Sequence, residues 1–430
     1  MDRLQLREGI EYEFIPPKVG RFWLWLGRLY ARRVYLKQHG VASVDVDGLE
    51  HLSALLGRGD GVMIAPNHAD LADSGVMLEL GRNLGRVLYF MAAYQIFQIN
   101  GRAGRFLLPR VGAFPVDREG ADLRAFKTAV EILGKGHDPL VIFPEGEIYH
   151  VNDRLTPLRE GAAAVATTAA KRAGERGKTV WIVPMGIKYR FLDGADRMPA
   201  LQQAMARLES RFGWWPREGH CLVDRIHACA EAMLGLKEME LLGATRQGTI
   251  KERIGSLRDA ILDGLEYRHF GKRRDDTVPV RVKELRHAFL EKLAGSATTP
   301  ECAASLRRDL YDVFLAVQLF SYPGDYLRET PTVERIAETV RKFEQDALAI
   351  EPEPYAMRRA VVRLGEPIDV RERMTSFARP RLATGAITTE LEARIQSVLD
   401  AIGPGRPVPA EEACPPIVPR LATAGAAPVD

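Results

Sequence analysis

Between residues 40 and 192, short apolar runs alternate with stretches of helical periodicity, the rhythm of an α/β domain. The runs GVMIAPN (61–67), VLYFMAA (87–93), PLVIFPE (139–145) and TVWIVPMGI (179–187) are apolar at nearly every position rather than at every second one. Strands of that kind are covered on both faces, so the pattern predicts a mixed, mostly parallel sheet flanked by helices. Helical periodicity occurs at 74–82, 120–134 and 160–174, the last of which, EGAAAVATTAAKRAG, is rich in strong helix formers.

From about 193 to 356 the pattern turns wholly helical, in TIKERIGSLRDAILDGLEYRH (249–269), PVRVKELRHAFLEKL (279–293) and PTVERIAETVRKFEQDALAI (331–350). Their periodic Leu, Ile, Phe and Val positions read as core. Strand character returns in RRAVVRLGEPIDV (358–370), and ITTELEARIQSVLDAIG (387–403) reads as a closing helix. The expected organisation is therefore an α/β domain of residues 40–192 plus 357–403, interrupted by a large helical insertion at 193–356. Residues 404–430, rich in Pro and Ala, read as a flexible tail.

Ahead of the domain, in residues 1–39, lies VGRFWLWLGRLYARRVYLK (19–37). Trp23, Trp25, Leu26, Leu29, Tyr30 and Val34 supply apolar bulk, while Arg21, Arg28 and Arg32 recur at helical spacing beside Arg33 and Lys37. Such a helix suits a bilayer interface, with indole rings at headgroup depth and guanidinium groups near phosphates. An amphipathic helix packed on its own domain fits the same pattern.

Composition narrows the field. The 430 residues are 46% hydrophobic and 27% charged, enough for a large core or for several domains, and the net charge of +3 gives no electrostatic case for nucleic acid. Cys221, Cys229, Cys302 and Cys414 form no C-x-x-C pair and have no histidine at metal spacing, so they read as reduced thiols without a metal. The amino terminus lacks a signal-peptide pattern, and no window approaches the roughly 18 apolar residues of a spanning helix. A soluble or peripheral protein on the cytoplasmic face of a membrane is expected.

The chemistry centres on IAPNHADLADSGVM (64–77). His68, just beyond a strand, has the side chain best suited to general-base work near neutral pH, and Asp73 could fix its tautomer. Five positions span about 140° on an ideal helix, so the two meet only if His68 sits in the turn and Asp73 in the first turn of the next helix. Alternatively, Asn67 and Asp70 are helix caps and His68 a loop residue. Further along, RVGAFPVDRE (110–119) places Arg118 after an extended run, where it could fork onto a phosphate or remain solvated. VIFPEGEIYH (141–150) ends a strand in Pro144-Glu145-Gly146, with glycine permitting a sharp turn. In WIVPMGIKY (181–189), Pro184 is read as ending another strand.

Taken in order, N-H-x-x-x-x-D, G-x-F-x-x-x-R, F-P-E-G and I-V-P resemble the four blocks of the glycerolipid acyltransferase family, which includes lysophosphatidic acid acyltransferases. The resemblance covers about 40–192 and resumes at 358–400. It implies His68 as general base with Asp73, an acceptor phosphate site shaped by Arg118, Glu145 and Gly146, and supporting roles for Asn67, Pro144 and Pro184. It further implies an acyl thioester donor, on coenzyme A or acyl carrier protein, a lysophospholipid-type acceptor, and no cofactor. The chain departs from the family at Glu147-Ile148-Tyr149, where Thr-Arg-Ser is the common continuation. Arg159 and Lys188 are alternative sources of charge. A non-phosphorylated acceptor, or a non-catalytic membrane adaptor that kept the fold, are the competing readings.

Overall fold

The structure, a computed structural model, describes residues 12–118, 122–193, 197–215, 220–294, 299–322, 324–348, 350, 352–377 and 380–408. The chain divides into two compact units, one of residues 1–192, 255–322 and 357–404, the other of 193–254, 323–356 and 405–430. The helical stretch 193–356 is thus shared between them, with 255–322 belonging to the unit that holds the sheet.

Among the described residues that unit contains eight strands: β1 (Val41–Asp47), β2 (Gly61–Pro66), β3 (Tyr89–Ala93), β4 (Ala113–Val116), β5 (Leu140–Val141), β6 (Val180–Phe191), β7 (Arg358–Leu364) and β8 (Ile368–Asp369). Their order is β1-β7-β6-β2-β5-β3-β4, with β8 also pairing β6. All pairs are parallel except β6 with β7 and with β8. Burial follows the two-residue alternation of a strand. Met63, Ala65, Val180 and Ile182 face a core built with helices Leu123–Lys135, Gly161–Gly174 and Pro380–Ile402. Val62, Ile64, Val183, Met185, Ile187 and Tyr189 face the other, with helices Leu49–Gly57 and Asp73–Asn83.

Several expectations need correction. Within the apolar run 139–145 the strand proper is only Leu140–Val141, although the Ile142 N–H still donates to the Ile64 carbonyl at 3.1 Å and the Pro139 carbonyl accepts the Tyr89 N–H at 2.9 Å. Pro184 does not end its strand, since β6 runs on to Phe191. On one side of β6 the partner changes from β8, opposite Trp181 and Ile182, to β7, which begins opposite Met185. Pro184 lies in that gap, where its missing N–H costs nothing, and its carbonyl accepts the Gly365 N–H at 2.8 Å. Cys221 is disulfide-bonded rather than reduced, since scattered spacing in sequence says nothing of proximity in space. Cys302 is an exposed free thiol and Cys229 is buried, whereas Cys414 lies outside the described residues, as do the start of the predicted helix at 120–134 and the tail beyond 408.

The N-terminal helix forms as Arg21–Tyr30, one π turn at Ala31–Tyr35, and Leu36–Gln38. Among the described residues no helix is long and apolar enough to cross a membrane. In the second unit, helices Met198–Arg211 and Leu222–Leu242 are tied by Arg225, whose guanidinium forks onto buried Glu209 at 2.9 Å through both nitrogens.

Candidate active site

Because β2, β5, β3, β4 and β6 run parallel, their C-terminal ends share one edge of the sheet, and the segments that leave them meet there. His68 leaves β2, Glu145 follows β5, Arg118 follows β4, and β6 itself projects beyond the last β2 pair, Pro66 with Met185. Three of the four sequence motifs are thus strand exits, while I-V-P lies within β6.

His68 sits in the turn and Asp73 is the first residue of helix Asp73–Asn83. The His68 Nδ1 lies 2.8 Å from Asp73 Oδ2, with the Asp73 side chain fully buried and that of His68 20% exposed. The imidazole stacks on Phe143, ring centroids 4.1 Å apart, which fixes its plane. With Nδ1 committed to the carboxylate, Nε2 is the nitrogen left for proton transfer. Asp73 Oδ2 also accepts the Asp70 N–H at 3.1 Å, and Oδ1 accepts the Tyr189 hydroxyl at 2.5 Å.

Two asparagines continue the ladder where β6 outruns β2. Asn67 accepts the Ile187 N–H at 2.7 Å and donates to the Ile187 carbonyl at 3.0 Å. Asn152 does the same for Tyr189, at 2.8 and 2.7 Å. A side-chain amide has the donor and acceptor of a peptide group, so each replaces a missing strand neighbour. Asn67 is therefore a strut that sets the register of the turn against β6.

Glu145 is also internal. Its Oε1 accepts the His68 N–H at 2.7 Å, and its Oε2 accepts the Thr156 N–H at 3.1 Å and the Thr156 hydroxyl. Burial pushes its carboxyl up to about 7, against the opposing effect of those donors. Two residues on, Glu147 behaves oppositely. Burial alone would raise it, but the guanidinium groups of Arg118, Arg286 and Arg159 hold it below the usual carboxylate range. Their nitrogens lie 3.8, 3.4 and 3.7 Å from Glu147 Oε1. Arg118 also donates to the Gly146 carbonyl at 2.5 Å. Gly146 has φ +78°, and a Cβ there would stand 2.6 Å from Arg159 Nε. Pro144 accepts the Arg159 N–H at 2.9 Å through its carbonyl, which folds the following loop back on the turn.

The structure thus brings His68, Asp73, Asn67, Glu145, Gly146 and Arg118 to one sheet edge. Pro184 sits within β6, three residues before the Ile187 that Asn67 brackets. Lys188 pairs with buried Asp153 at 2.6 Å and is a core cation rather than an acceptor contact. Residues that the sequence reading did not single out are Tyr189, Asn152, Thr156, Arg286 and Arg358. Tyr189 carried a signal: a tyrosine at a buried strand position needs a partner for its hydroxyl.

The fold is an α/β sheet covered on both faces, with a His–Asp pair where a central parallel strand leads toward a helix. Residues 43–188 match the family model described as Acyltransferase, which supports acyl transfer as the general chemistry of this stretch. No curated protein matches the chain.

Proposed function

We propose that the protein transfers a fatty acyl chain from a thioester, on coenzyme A or acyl carrier protein, to a lipid hydroxyl, with His68 as general base. The observation that carries this reading is the 2.8 Å contact between His68 Nδ1 and fully buried Asp73 at a strand exit of an acyltransferase-family domain. His68 Nε2 takes the hydroxyl proton, and the oxygen attacks the thioester carbonyl carbon to form a tetrahedral oxyanion. The C–S bond then breaks, and the imidazolium returns the proton to the departing thiolate, leaving an ester and a thiol. Since the N–H of His68 is engaged by Glu145, oxyanion donors come from other groups.

Arg118, Arg159 and Arg286 support an anionic acceptor such as a lysophospholipid of the 1-acylglycerol 3-phosphate type. A non-phosphorylated acceptor is the second reading, favoured by the carboxylate of Glu147 that these three arginines already face. A membrane surface as partner is supported by Phe22, Trp25 and Tyr30, which are 61%, 59% and 52% exposed on the N-terminal helix. Half-exposed Phe106 extends this apolar surface, packing edge-on against Trp23 at 5.3 Å.

The test is thiol release from long-chain acyl-CoA and acyl carrier protein by wild type and His68→Ala, with lysophospholipids and neutral alcohols in mixed micelles. Release that requires both an acceptor and His68 supports the reading and names the acceptor class. Release unaffected by His68→Ala overturns it.

A further inference from the structure

We infer that Tyr189 is a positioning residue of the dyad: its hydroxyl, mounted on the projecting end of β6, orients the Asp73 carboxylate toward His68. The inference rests on the reading of His68 as the base. It concerns residues beyond the matched stretch 43–188, since Tyr189 follows it directly and Arg358, which braces it, comes from β7.

The geometry is specific. Asp73 Oδ1 receives the Tyr189 hydroxyl at 2.5 Å, while Oδ2 receives the Asp70 N–H at 3.1 Å and faces His68 Nδ1 at 2.8 Å. Each oxygen therefore has its own task, and rotation of the carboxylate about its last bond would break at least one contact. A carboxylate with one oxygen unanchored, by contrast, could turn away from the imidazole at little cost. Tyr189 is itself immobilised. Asn152 grips both its backbone groups, and the Arg358 guanidinium lies 4.8 Å from its ring centroid. Arg358 in turn donates to Asp70 Oδ2 at 3.0 Å and to the His39 carbonyl at 2.8 Å, and Asp70 Oδ1 accepts the Ala72 N–H at 2.9 Å. Tyrosine, its guanidinium brace and the acidic turn form one closed circuit around Asp73.

The phenol is also a permanent donor. Burial first, then the charges of Asp73 and Asp70, raise Tyr189 well above the ordinary tyrosine range, with Arg358 opposing only in part. It therefore stays protonated throughout the range in which a histidine base works.

The alternative role for a buried tyrosine is packing alone. The two roles separate kinetically, because a lost packing contact reduces the folded fraction, whereas a disoriented base reduces turnover of molecules that still fold and bind.

The experiment compares Tyr189→Phe, Asp73→Asn, the double variant and His68→Ala in the full-length protein, measuring kcat and KM for acyl thioester and acceptor alongside thermal melting. Tyr189→Phe keeps the ring against Arg358 and removes only the hydroxyl. The expected result is a fall in kcat of about tenfold with both KM values within about twofold. In the Asp73→Asn background, Tyr189→Phe should cost no further activity, since its effect passes through Asp73. Wild-type kcat in Tyr189→Phe, or a loss that simply multiplies with that of Asp73→Asn, overturns the inference. Should Tyr189→Phe fail to fold, Asn152→Ala decides: reduced kcat at unchanged KM supports the inference, and unchanged kcat overturns it. Full activity in His68→Ala would instead sink the assignment of the base, a result distinct from any of these.

Discussion

The carboxylate of Glu145 accepts the backbone N–H of His68 at 2.7 Å. The residue that the motif resemblance assigns to an acceptor site is thus bonded to the turn that carries His68, and through Thr156 it ties that turn to the loop after β5. Its protonation state becomes a property of the fold.

Glu145 is lifted to about 7 in the folded protein from an ordinary 4.5. The folded state therefore binds more protons between these values. The contribution of this group to stability is whole below about 4.5 and is lost as pH rises through about 7. Glu145→Gln removes that titration, so the stability of wild type relative to the variant should fall by about 3 kcal/mol between pH 4 and 8. Urea unfolding at four or five pH values checks this; a difference that stays constant across the range contradicts it.

Asp73→Asn should lower kcat by roughly 10²- to 10⁴-fold, because an amide neither fixes the Nδ1–H tautomer nor stabilises an imidazolium, and should also lower the melting temperature, because its NH2 replaces one of two buried oxygens that accept hydrogen bonds. The thiol-release assay reads this directly. Activity within a few-fold of wild type would mean that Asp73 has no part in proton transfer.

At Gly146 the backbone has φ +78° and a Cβ would stand 2.6 Å from Arg159 Nε. Gly146→Ala should therefore destabilise by about 1–3 kcal/mol, since strain and contact act together. Denaturant titration measures it, and an alanine variant as stable as wild type would show that this turn relaxes freely.

Replacing Phe22 and Trp25 together by alanine removes two exposed rings, so stability should be unaffected while co-sedimentation with anionic vesicles weakens by tenfold or more, by about 1 kcal/mol or more of apolar transfer per ring. Equal sedimentation of the variant and wild type would point to a helix that merely covers its own domain.

Much of this site was legible because its chemistry is local. His68 and Asp73 are five positions apart, and a strand exit followed by a helix start is written in the hydrophobic pattern itself. Strands apolar at every position, such as β2 and most of β6, announced a covered sheet. Edge strand β1 did not, since VASVDVD alternates exposed polar positions. The extent of β6 was misread because proline ordinarily breaks a strand, and only the change of neighbour from β8 to β7 reveals why Pro184 is tolerated. Tyr189, Asn152 and Arg358 reach the dyad through tertiary contacts, and no spacing rule links residue 358 to residue 70. The disulfide at Cys221 escaped for the same reason.

The antiparallel pair β6–β7 closes at its open end with the Leu192 N–H on the Met357 carbonyl, at 3.1 Å. Residues 193–356 therefore leave and re-enter the sheet at touching points, like an extended loop of a hairpin. Closing the strand pair at that point leaves the β6–β7 ladder itself independent of the length of the excursion. Its middle part is not neutral, however, because it carries Arg286 to within 3.4 Å of Glu147. The β6–β7 hairpin is thus the port through which sequence outside the strands reaches the sheet edge that carries Glu147.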